Sequence, residues 1–226
     1  LQAQGRRLDT YSFDFKDNDK NFRANAFQPS QDRPWVDLMI AHCHTNHQYL
    51  ECANTDLYQY LFEAVDARDL PCMADVEASM LYFCRRVAAN HKVTLTGECA
   101  DEIFGGYNIY LEPKALKWSR WIPLGVRKKI AGAAERLPKH MKGRNYLIRA
   151  ARPLSERYIG NAYIFTADER KQLLKRKKNV PEPKELLREE FGKMSGLPDS
   201  DQMQALDLVY WLPGDILLKA DKMSMA

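Results

Sequence analysis

Apolar and polar positions repeat with two different periods in the first hundred residues of the chain. Strand-forming Thr, Tyr and Phe alternate with other residues in 8–15, and 47–51 has the composition of a second short strand. Apolar residues at helical spacing predict helices over 54–67 and 76–89, and a proline at a helix-start position predicts another over 34–44. Strands and helices that alternate in this way are typical of an open parallel sheet with helices on its faces.

The pattern changes after a further strand predicted over 92–95 and the glycine-rich segment that follows it. From Leu111 onward the chain has only helical and loop patterns. The helices are predicted over 126–136, 145–151, 167–178, 183–192 and 201–212. The sequence therefore predicts an α/β part at 1–107 and a helical part at 108–226.

Charge is unevenly distributed along the chain. The formal net charge of +4 over 226 residues is small, and 45% apolar composition supports a sizeable core. Twelve Lys or Arg residues nevertheless fall between 114 and 152, against Glu135 as the one acid in that range. Trp118, Trp121 and Tyr146 interleave with them, a composition that RNA-binding surfaces share, but no nucleic-acid motif accompanies it. Nucleic acid is therefore not an expected partner.

The cysteines and the apolar runs indicate where in the cell the protein is expected to work. Five cysteines form no C-x-x-C pair, which favours reduced thiols in the cytoplasm. No apolar run approaches the roughly 18 residues that span a bilayer, so no membrane association is expected.

The segment TLTGECADEIFGGY places three acids directly after the last predicted strand. Gly97 would allow a flat ligand to approach the backbone closely, and on a helix Glu98, Asp101 and Glu102 would share one face. Clustered carboxylates require a cation, which a divalent metal, a substrate ammonium group or a nearby lysine would supply. The alternative is structural: acids favour a helix N-terminus, and Gly105-Gly106 would cap that helix.

The C-terminal segment WLPGDILLKADKMSMA carries a second group of charges. Asp215, Lys219 and Lys222 recur at i, i+4 and i+7, so they would form one stripe of a helix opposite an apolar face. The structural alternative is an ion pair between Asp215 and Lys219 along that helix. Pro213-Gly214 is expected to break the preceding helix, with Asp215 as the N-cap of the next.

Both segments resemble motifs of one enzyme family. TLTGECADEIFGGY resembles the S-G-E-G-A-D-E-x-F-G-G-Y motif of the synthetase domain of glutamine-hydrolysing asparagine synthetases. WLPGDILLKADKMSMA is similar to the W-L-x-D-x-L-x-K-x-D-x-M-S-M-A stretch of that family, and DTYSFDF matches its T-F-S-I-G-F strand more weakly. Cys99 stands where the family motif has its second glycine. The middle of the chain, 111–200, matches only in helical character.

The resemblance implies a fold and a reaction. The fold would be an α/β parallel-sheet core of the adenine nucleotide alpha hydrolase type (PP-loop ATP pyrophosphatase), followed by an all-α portion. The enzyme would be a carbon-nitrogen ligase that uses ATP and Mg²⁺ to adenylate the side chain of aspartate and releases pyrophosphate. Ammonia would then displace AMP to give asparagine. The ammonia would come from glutamine, hydrolysed by an N-terminal glutaminase domain of the same chain.

The resemblance also assigns roles to residues. Those assigned are Ser12, Phe13 and Gly97 to the nucleotide, Glu98 and Lys219 to catalysis, Asp101 to the metal, and Glu102, Tyr107 and Asp215 to the substrate. Glu98 would take a proton from the attacking ammonia. Ser12 and Phe13 would meet the adenine through backbone groups. No chemical step is assigned to Lys219 or Asp215.

The sequence departs from the family pattern in ways that affect these expectations. It has no S-G-G-x-D-S phosphate loop, no glutaminase domain and no E-V-R-x-P-F-L-D segment, so it is expected to be a fragment that is inactive alone. The stretch 71–80 has Asp75 and Glu77 but no Arg, whereas relatives use a Thr- and Arg-containing loop there to recognise aspartate.

Three functions and one assembly remain as hypotheses. The first is the synthetase half of asparagine synthase. The second is a related acyl-adenylating amide synthetase, of the β-lactam synthetase or peptide cyclase type, with another carboxylate or amine. The third is a binding or regulatory module that has lost catalysis, against which the intact Glu98 and Asp101 argue. A homodimer is carried as the hypothesis for assembly.

Overall fold

The computed structural model describes residues 5–23, 30–71, 74–138, 140–161, 165, 167–174 and 181–226, and the structural statements below concern these residues. The chain forms two compact units. Unit 1 comprises Leu1–Glu98 together with Asp215–Ala226, and unit 2 comprises Cys99–Gly214. The division of the sequence into 1–107 and 108–226 stays a prediction about domains, and each compact unit is described by itself.

The regular structure is mainly helical. The strands are β1 (Asp9–Phe15) and β2 (Asn46–Cys52). The α-helices are α1 (Asn18–Asn21), α2 (Arg33–Cys43), α3 (Asn54–Arg68), α4 (Ala74–Ala88), α5 (Ala100–Phe104), α6 (Glu112–Ala115), α7 (Leu124–Glu135), α8 (Arg144–Ala150), α9 (Leu154–Arg157), α10 (Ala167–Leu173), α11 (Pro183–Leu186), α12 (Arg188–Lys193), α13 (Asp199–Leu206) and α14 (Leu218–Met225). The other helices are 3-10 turns at Asn108–Leu111 and Lys117–Trp121 and a π-helix at Asp207–Leu217.

The sheet of unit 1 is parallel, as the alternating pattern predicts. β1 and β2 pair in register from Asp9 opposite Asn46 to Phe15 opposite Cys52. Parallel neighbours need a crossover connection, and α2 lies on that connection, with a proline in its first turn. The α/β fold class with a parallel sheet followed by many helices is therefore confirmed.

Small side chains bring the helices of unit 1 together. Ala64 on α3, Ala78 and Leu81 on α4, and Met223 on α14 are fully buried in one cluster. Alanines at the contact allow close approach of the helix backbones, and the long methionine side chain fills the remaining space. This cluster holds α14, and hence Lys219 on its first turn, against α3 and α4.

The strand predicted over 92–95 is wrong. The segment is irregular, and Val93 and Leu95 are 85% and 100% exposed. Strand-forming residues do not make a strand without a neighbour whose backbone completes the hydrogen-bond ladder, and no described residue pairs with this segment.

Unit 2 is built around one hydrophobic cluster. Its fully buried members are Tyr110, Leu154, Tyr158, Leu187, Phe191, Met203 and Leu206. The predicted helices lie close to α7, α8, α10 and α13, and the prediction over 183–192 divides into α11 and α12. For the helix predicted over 167–178, residues 175–178 lie outside the described part of the chain.

The predicted helix break at Pro213-Gly214 is wrong as well. A π-helix runs through both residues, so Asp215 lies inside a helix and is not an N-cap. In an α-helix the proline ring would clash with the carbonyl of Val209, four residues earlier, and the wider π turn relieves that clash.

No helix in the described ranges has both the length and the apolar character that crossing a bilayer requires.

Candidate functional site

Gly97 and Glu98 are the last residues of the N-terminal segment of unit 1. A Cβ built on Gly97 would have no neighbour within 4 Å, so the space beside this backbone is open. The Glu98 backbone N–H donates to Thr96 Oγ1 at 3.3 Å, which helps to fix the turn. This geometry permits the close approach of a flat ligand that Gly97 was predicted to allow.

Glu98 and Lys219, the two residues predicted to be catalytic, lie side by side in unit 1. Lys219 Nζ is 3.9 Å from Glu98 Oε2. Lys219 is almost fully buried, whereas the Glu98 side chain remains 30% exposed. The structure thus brings an accessible carboxylate and a buried cation together from segments far apart in sequence.

Asp215 belongs to a buried ion-pair network. Arg68 at the end of α3 places Nη2 at 3.4 Å from Asp215 Oδ1 and Nη1 at 3.5 Å from Glu77 Oε1 on α4. Arg68 and Glu77 are 4% and 2% exposed. Lys222 Nζ contacts Asp69 Oδ2 at 2.7 Å. The residues of the predicted stripe therefore pair with other elements, and the expected pair between Asp215 and Lys219 along the helix is not formed.

Sequence reasoning missed this role for Arg68 and Glu77, although a signal was present. Arg68 falls four residues after the buried Ala64, and Glu77 four residues before the buried Leu81, so both occupy buried faces of their helices. A charged residue on an apolar face needs a partner, and here each supplies the other. The side chain of Asp75, the other acid of this stretch, lies outside the described part.

Glu77→Gln is expected to lower the free energy of unfolding by about 2 kcal/mol, because Arg68 keeps Asp215 but loses its buried partner. The matched control is Glu63→Gln, which breaks the exposed pair between Glu63 and Arg85 on the same two helices, at 2.7 Å. That control should cost less than about 0.5 kcal/mol. Urea unfolding measures both changes, and equal losses would contradict the buried network.

The side chains of Ser12 and Phe13 on β1 are already engaged. Ser12 Oγ lies 2.9 Å from His47 Nε2, and the Phe13 ring meets the Phe83 ring edge to face at 6.3 Å. Burial lowers the pKa of His47. A shallow cavity extends from this part of β1 to α2 and Tyr49. Because the Ser12 side chain contacts His47 and the Phe13 side chain contacts Phe83, the backbone N–H and C=O groups of these two residues are the better candidates for contacts with a ligand.

Asp101 and Glu102, the acids of the glycine-rich segment that lie in unit 2, do not share one face, contrary to the sequence-based expectation. α5 begins only at Ala100, so Glu98 precedes it. Asp101 is exposed while Glu102 is 1% exposed, because consecutive helical residues point about 100° apart. Gly105 ends the helix in the left-handed region, as expected of a cap.

Cys99 precedes α5 in a strained backbone conformation. Its φ of 78° lies in the left-handed region, which glycine adopts readily and other residues adopt at a cost of about 1 kcal/mol. The glycine at this position of the family motif would carry no such strain.

The Asp101 carboxylate is free to meet a ligand. It is exposed and makes no hydrogen bond or ion pair with described residues. Gly106 donates its N–H to the Asp101 carbonyl at 2.9 Å, and a Cβ on Gly106 would overlap Asp101 Oδ1, so a side chain at 106 would force this carboxylate to move.

The described side chains suit magnesium only when phosphate and water supply most of its ligands. Among the described residues, no three His, Cys, Asp or Glu side chains are grouped so that they could hold a metal ion. Mg²⁺ is usually held by one or two carboxylates together with substrate phosphates and water. Asp101 therefore fits a magnesium ion that arrives with phosphate oxygens.

Glu102 is tied into the interior of unit 2. The Tyr107 hydroxyl donates to Glu102 Oε1 at 2.7 Å, and burial raises the pKa of Tyr107, so the phenol stays a neutral donor. Gln204 Nε2 on α13 donates to the carbonyls of Glu102 at 2.7 Å and Ile103 at 2.8 Å. These contacts anchor α5, and with it Asp101.

Asp207 is a further buried acid that the sequence analysis missed. It accepts hydrogen bonds from the hydroxyls of Tyr110, at 2.7 Å, and Tyr158, and from the backbone N–H and side-chain amide of Asn161, both at 3.2 Å. Burial raises the pKa of Asp207, against the opposing effect of the two tyrosine hydrogen bonds. The available signal was one acid at the start of the apolar run DLVYWL.

Comparison with known proteins adds to these observations. The family described as asparagine synthase matches residues 1–226. Asparagine synthetase (glutamine-hydrolyzing) 1 of Bacillus subtilis is 45% identical over 155 residues, which are 68% of this chain and 24% of the relative. Asparagine synthetase (glutamine-hydrolyzing) 3 of the same organism is 51% identical over 100 residues, 44% of this chain and 16% of the relative. No solved structure matches.

The chain thus spans about a quarter or less of the length of these curated relatives. The family match covers the whole chain, including the segments that supply Glu98, Asp101 and Lys219. The chain belongs to the asparagine synthase family.

Proposed function

We propose that the protein containing this chain is a glutamine-dependent asparagine synthetase, a carbon-nitrogen ligase. The side-chain carboxylate of aspartate attacks the α-phosphate of ATP, which gives β-aspartyl-AMP and releases pyrophosphate. Ammonia then attacks the activated carbonyl and AMP leaves, so that the products are asparagine, AMP and pyrophosphate. A glutaminase domain of the same protein supplies the ammonia.

The observation that carries this proposal is the pairing of Glu98 with Lys219. Each comes from a segment that resembles a family motif, and their side-chain atoms lie 3.9 Å apart in unit 1. Ammonia becomes cationic as it attacks a carbonyl, and an ionised carboxylate nearby can stabilise that charge and accept the proton. The partly exposed Glu98 suits that role, and the buried Lys219 can orient it.

The nucleotide is proposed to lie against Ser12, Phe13 and Gly97. The open space beside Gly97 supports close stacking of a ring on the backbone. The engagement of the Ser12 side chain with His47 supports recognition through backbone groups.

Asp101 is proposed to hold Mg²⁺ through its free carboxylate, and the metal, when bound with ATP, would neutralise charge on the pyrophosphate leaving group. Glu102 and Tyr107 of unit 2, and separately Asp215 of unit 1, are proposed to take part in binding aspartate. The contacts of Glu102 with Tyr107 and of Asp215 with Arg68 support a role in holding these neighbours in position.

The setting follows from the reaction. A cytoplasmic location is proposed, where ATP and amino acids are available. A thiol such as Cys52, which forms no disulfide with a described residue, stays reduced there. No membrane partner is proposed, and a homodimer is kept as the assembly hypothesis.

The complete gene product is expected to catalyse ATP–pyrophosphate exchange that depends on aspartate, and to form asparagine when glutamine or ammonia is added. Glutamate in place of aspartate is the matched control, because it differs by one methylene and should support little exchange. Exchange that requires a different carboxylate would favour a related acyl-adenylating synthetase. Absence of nucleotide binding would favour a binding or regulatory module.

A further inference from the structure

A concave surface of unit 2 is lined by positive charge and contains none of the residues assigned above. The cavity measures about 600 Å³, which lies within the range of small-molecule sites. The charged residues that line it are Arg120, Arg127, Lys128, Arg152 and Arg157, with the acids Glu156 and Asp199. Five cations against two acids make it a positively charged pocket.

The cations reach this pocket from three segments. Arg120 lies in the 3-10 turn at Lys117–Trp121, and Arg127 and Lys128 lie on the first turns of α7. Arg152 lies two residues before α9, and Arg157 is the last residue of that helix. α7 packs closely on α8 through buried alanines, which fixes the pocket wall. Charge from three directions therefore surrounds one cavity.

Part of this charge is neutralised within the protein. Arg157 has a buried side chain that contacts Glu112 Oε2 and Asp199 Oδ2, both at 3.1 Å, so it belongs to the framework. Asp199 also lies 3.5 Å from Arg120, and Arg152 pairs with Glu135 at 3.1 Å.

Arg127 and Lys128 keep donors for a ligand. Arg127 Nη1 donates to the Ala150 carbonyl at 2.9 Å, and no described residue accepts a hydrogen bond from its Nη2. Lys128 makes no ion pair or hydrogen bond with described residues. An anion in the pocket would accept charge-assisted hydrogen bonds from these two side chains.

We propose that this pocket binds a small phosphate-bearing ligand. A phosphate group presents oxygens in several directions and can accept hydrogen bonds from guanidinium and ammonium groups at once, whereas a carboxylate presents two oxygens in one plane. A pocket suits a small molecule better than an extended RNA strand. RNA bases stack on exposed aromatic rings, but the Trp118 ring is already stacked on Tyr146 with ring planes 18° apart.

The test is a calorimetric titration of the complete gene product with inorganic phosphate, which measures the affinity. Lys128→Gln and the double variant Arg127→Gln/Lys128→Gln are expected to weaken phosphate binding by about tenfold or more, because each lost cation removes charge-assisted hydrogen bonds. Lys129→Gln is the matched control. Lys129 is the next residue on α7, carries the same charge and does not line the pocket, so its loss should change the affinity less than about twofold.

Several results would overturn the proposal. Equal weakening by Lys129→Gln would show diffuse attraction to a basic surface, and unchanged affinity in Lys128→Gln and the double variant would exclude the pocket. Acetate that binds as tightly as phosphate, or single-stranded RNA that displaces phosphate at lower concentration, would show the wrong ligand class. If the double variant does not fold, Lys128→Gln alone decides the question. The assay measures binding only, so its outcome does not depend on aspartate-dependent exchange.

Discussion

Glu98→Gln in the complete gene product is expected to lower the rate of asparagine formation by about 10²- to 10⁴-fold. Glutamine keeps the size of the side chain but cannot accept a proton from the attacking ammonia. Adenylation does not use that proton transfer, so aspartate-dependent ATP–pyrophosphate exchange should stay within a few-fold of its original rate. Comparing the two partial reactions locates the loss in the second one.

The control for this substitution is Glu189→Gln on α12, where the side chain is 81% exposed. It removes the same charge from the surface of unit 2 and should leave both partial reactions unchanged. Asparagine formation that continues at the original rate in Glu98→Gln would refute the assigned role. Equal loss of exchange and amide formation would instead place Glu98 in binding or adenylation.

Asp207→Ala is expected to lower the free energy of unfolding of unit 2 by about 3 to 5 kcal/mol. The substitution leaves the buried hydroxyls of Tyr110 and Tyr158, and the partly buried Asn161 amides, without their acceptor. It also opens a cavity in the core. Urea unfolding followed by tryptophan fluorescence measures this change, because Trp118, Trp121 and Trp211 all lie in unit 2.

Asp201→Ala on α13 provides the comparison, since Asp201 is exposed and should contribute less than about 0.5 kcal/mol. Tyr110→Phe removes one donor to Asp207 and should cost about 1 kcal/mol. If Asp207→Ala is no more damaging than Asp201→Ala, the hydrogen bonds around Asp207 do not stabilise the unit.

The pH dependence of the Asp207 contribution has the opposite sign to that of a salt-bridged carboxylate. Burial raises the pKa of Asp207 above its ordinary value of 3.8, so the folded state binds the proton more tightly than the unfolded state. Stability from this group therefore falls as pH rises from 3.8 through the raised folded pKa. Asp207→Ala should abolish that part of the pH dependence.

Local patterns predicted the elements that depend on local sequence. Two strands and several helices follow from alternation, helical spacing and proline placement, and β1, β2, α3 and α4 lie close to where these signals put them. The strand over 92–95 failed because a strand needs a partner that local sequence does not specify. The break at Pro213 failed because the competing π geometry depends on how the helix packs.

The residues of the candidate site likewise fall into those that the sequence indicates and those that the structure reveals. Glu98, Asp101 and Lys219 could be identified from motif resemblance, since each lies in a long match. For Arg68 and Asp207 the sequence holds only a weak signal, because the partners that give a single charged residue its role lie far away in sequence. Their buried networks depend on tertiary packing, and the structure was needed to show them.

The strained Cys99 has a genetic consequence. Both cysteine codons become glycine codons by one base change in the first position, so the strain at this turn can be relieved in a single mutational step. The residue has left-handed backbone geometry, which glycine adopts without strain. Selection of random variants for thermal resistance should therefore recover Cys99→Gly early. Persistence of Cys99 in a natural population would indicate that the thiol brings a benefit of its own.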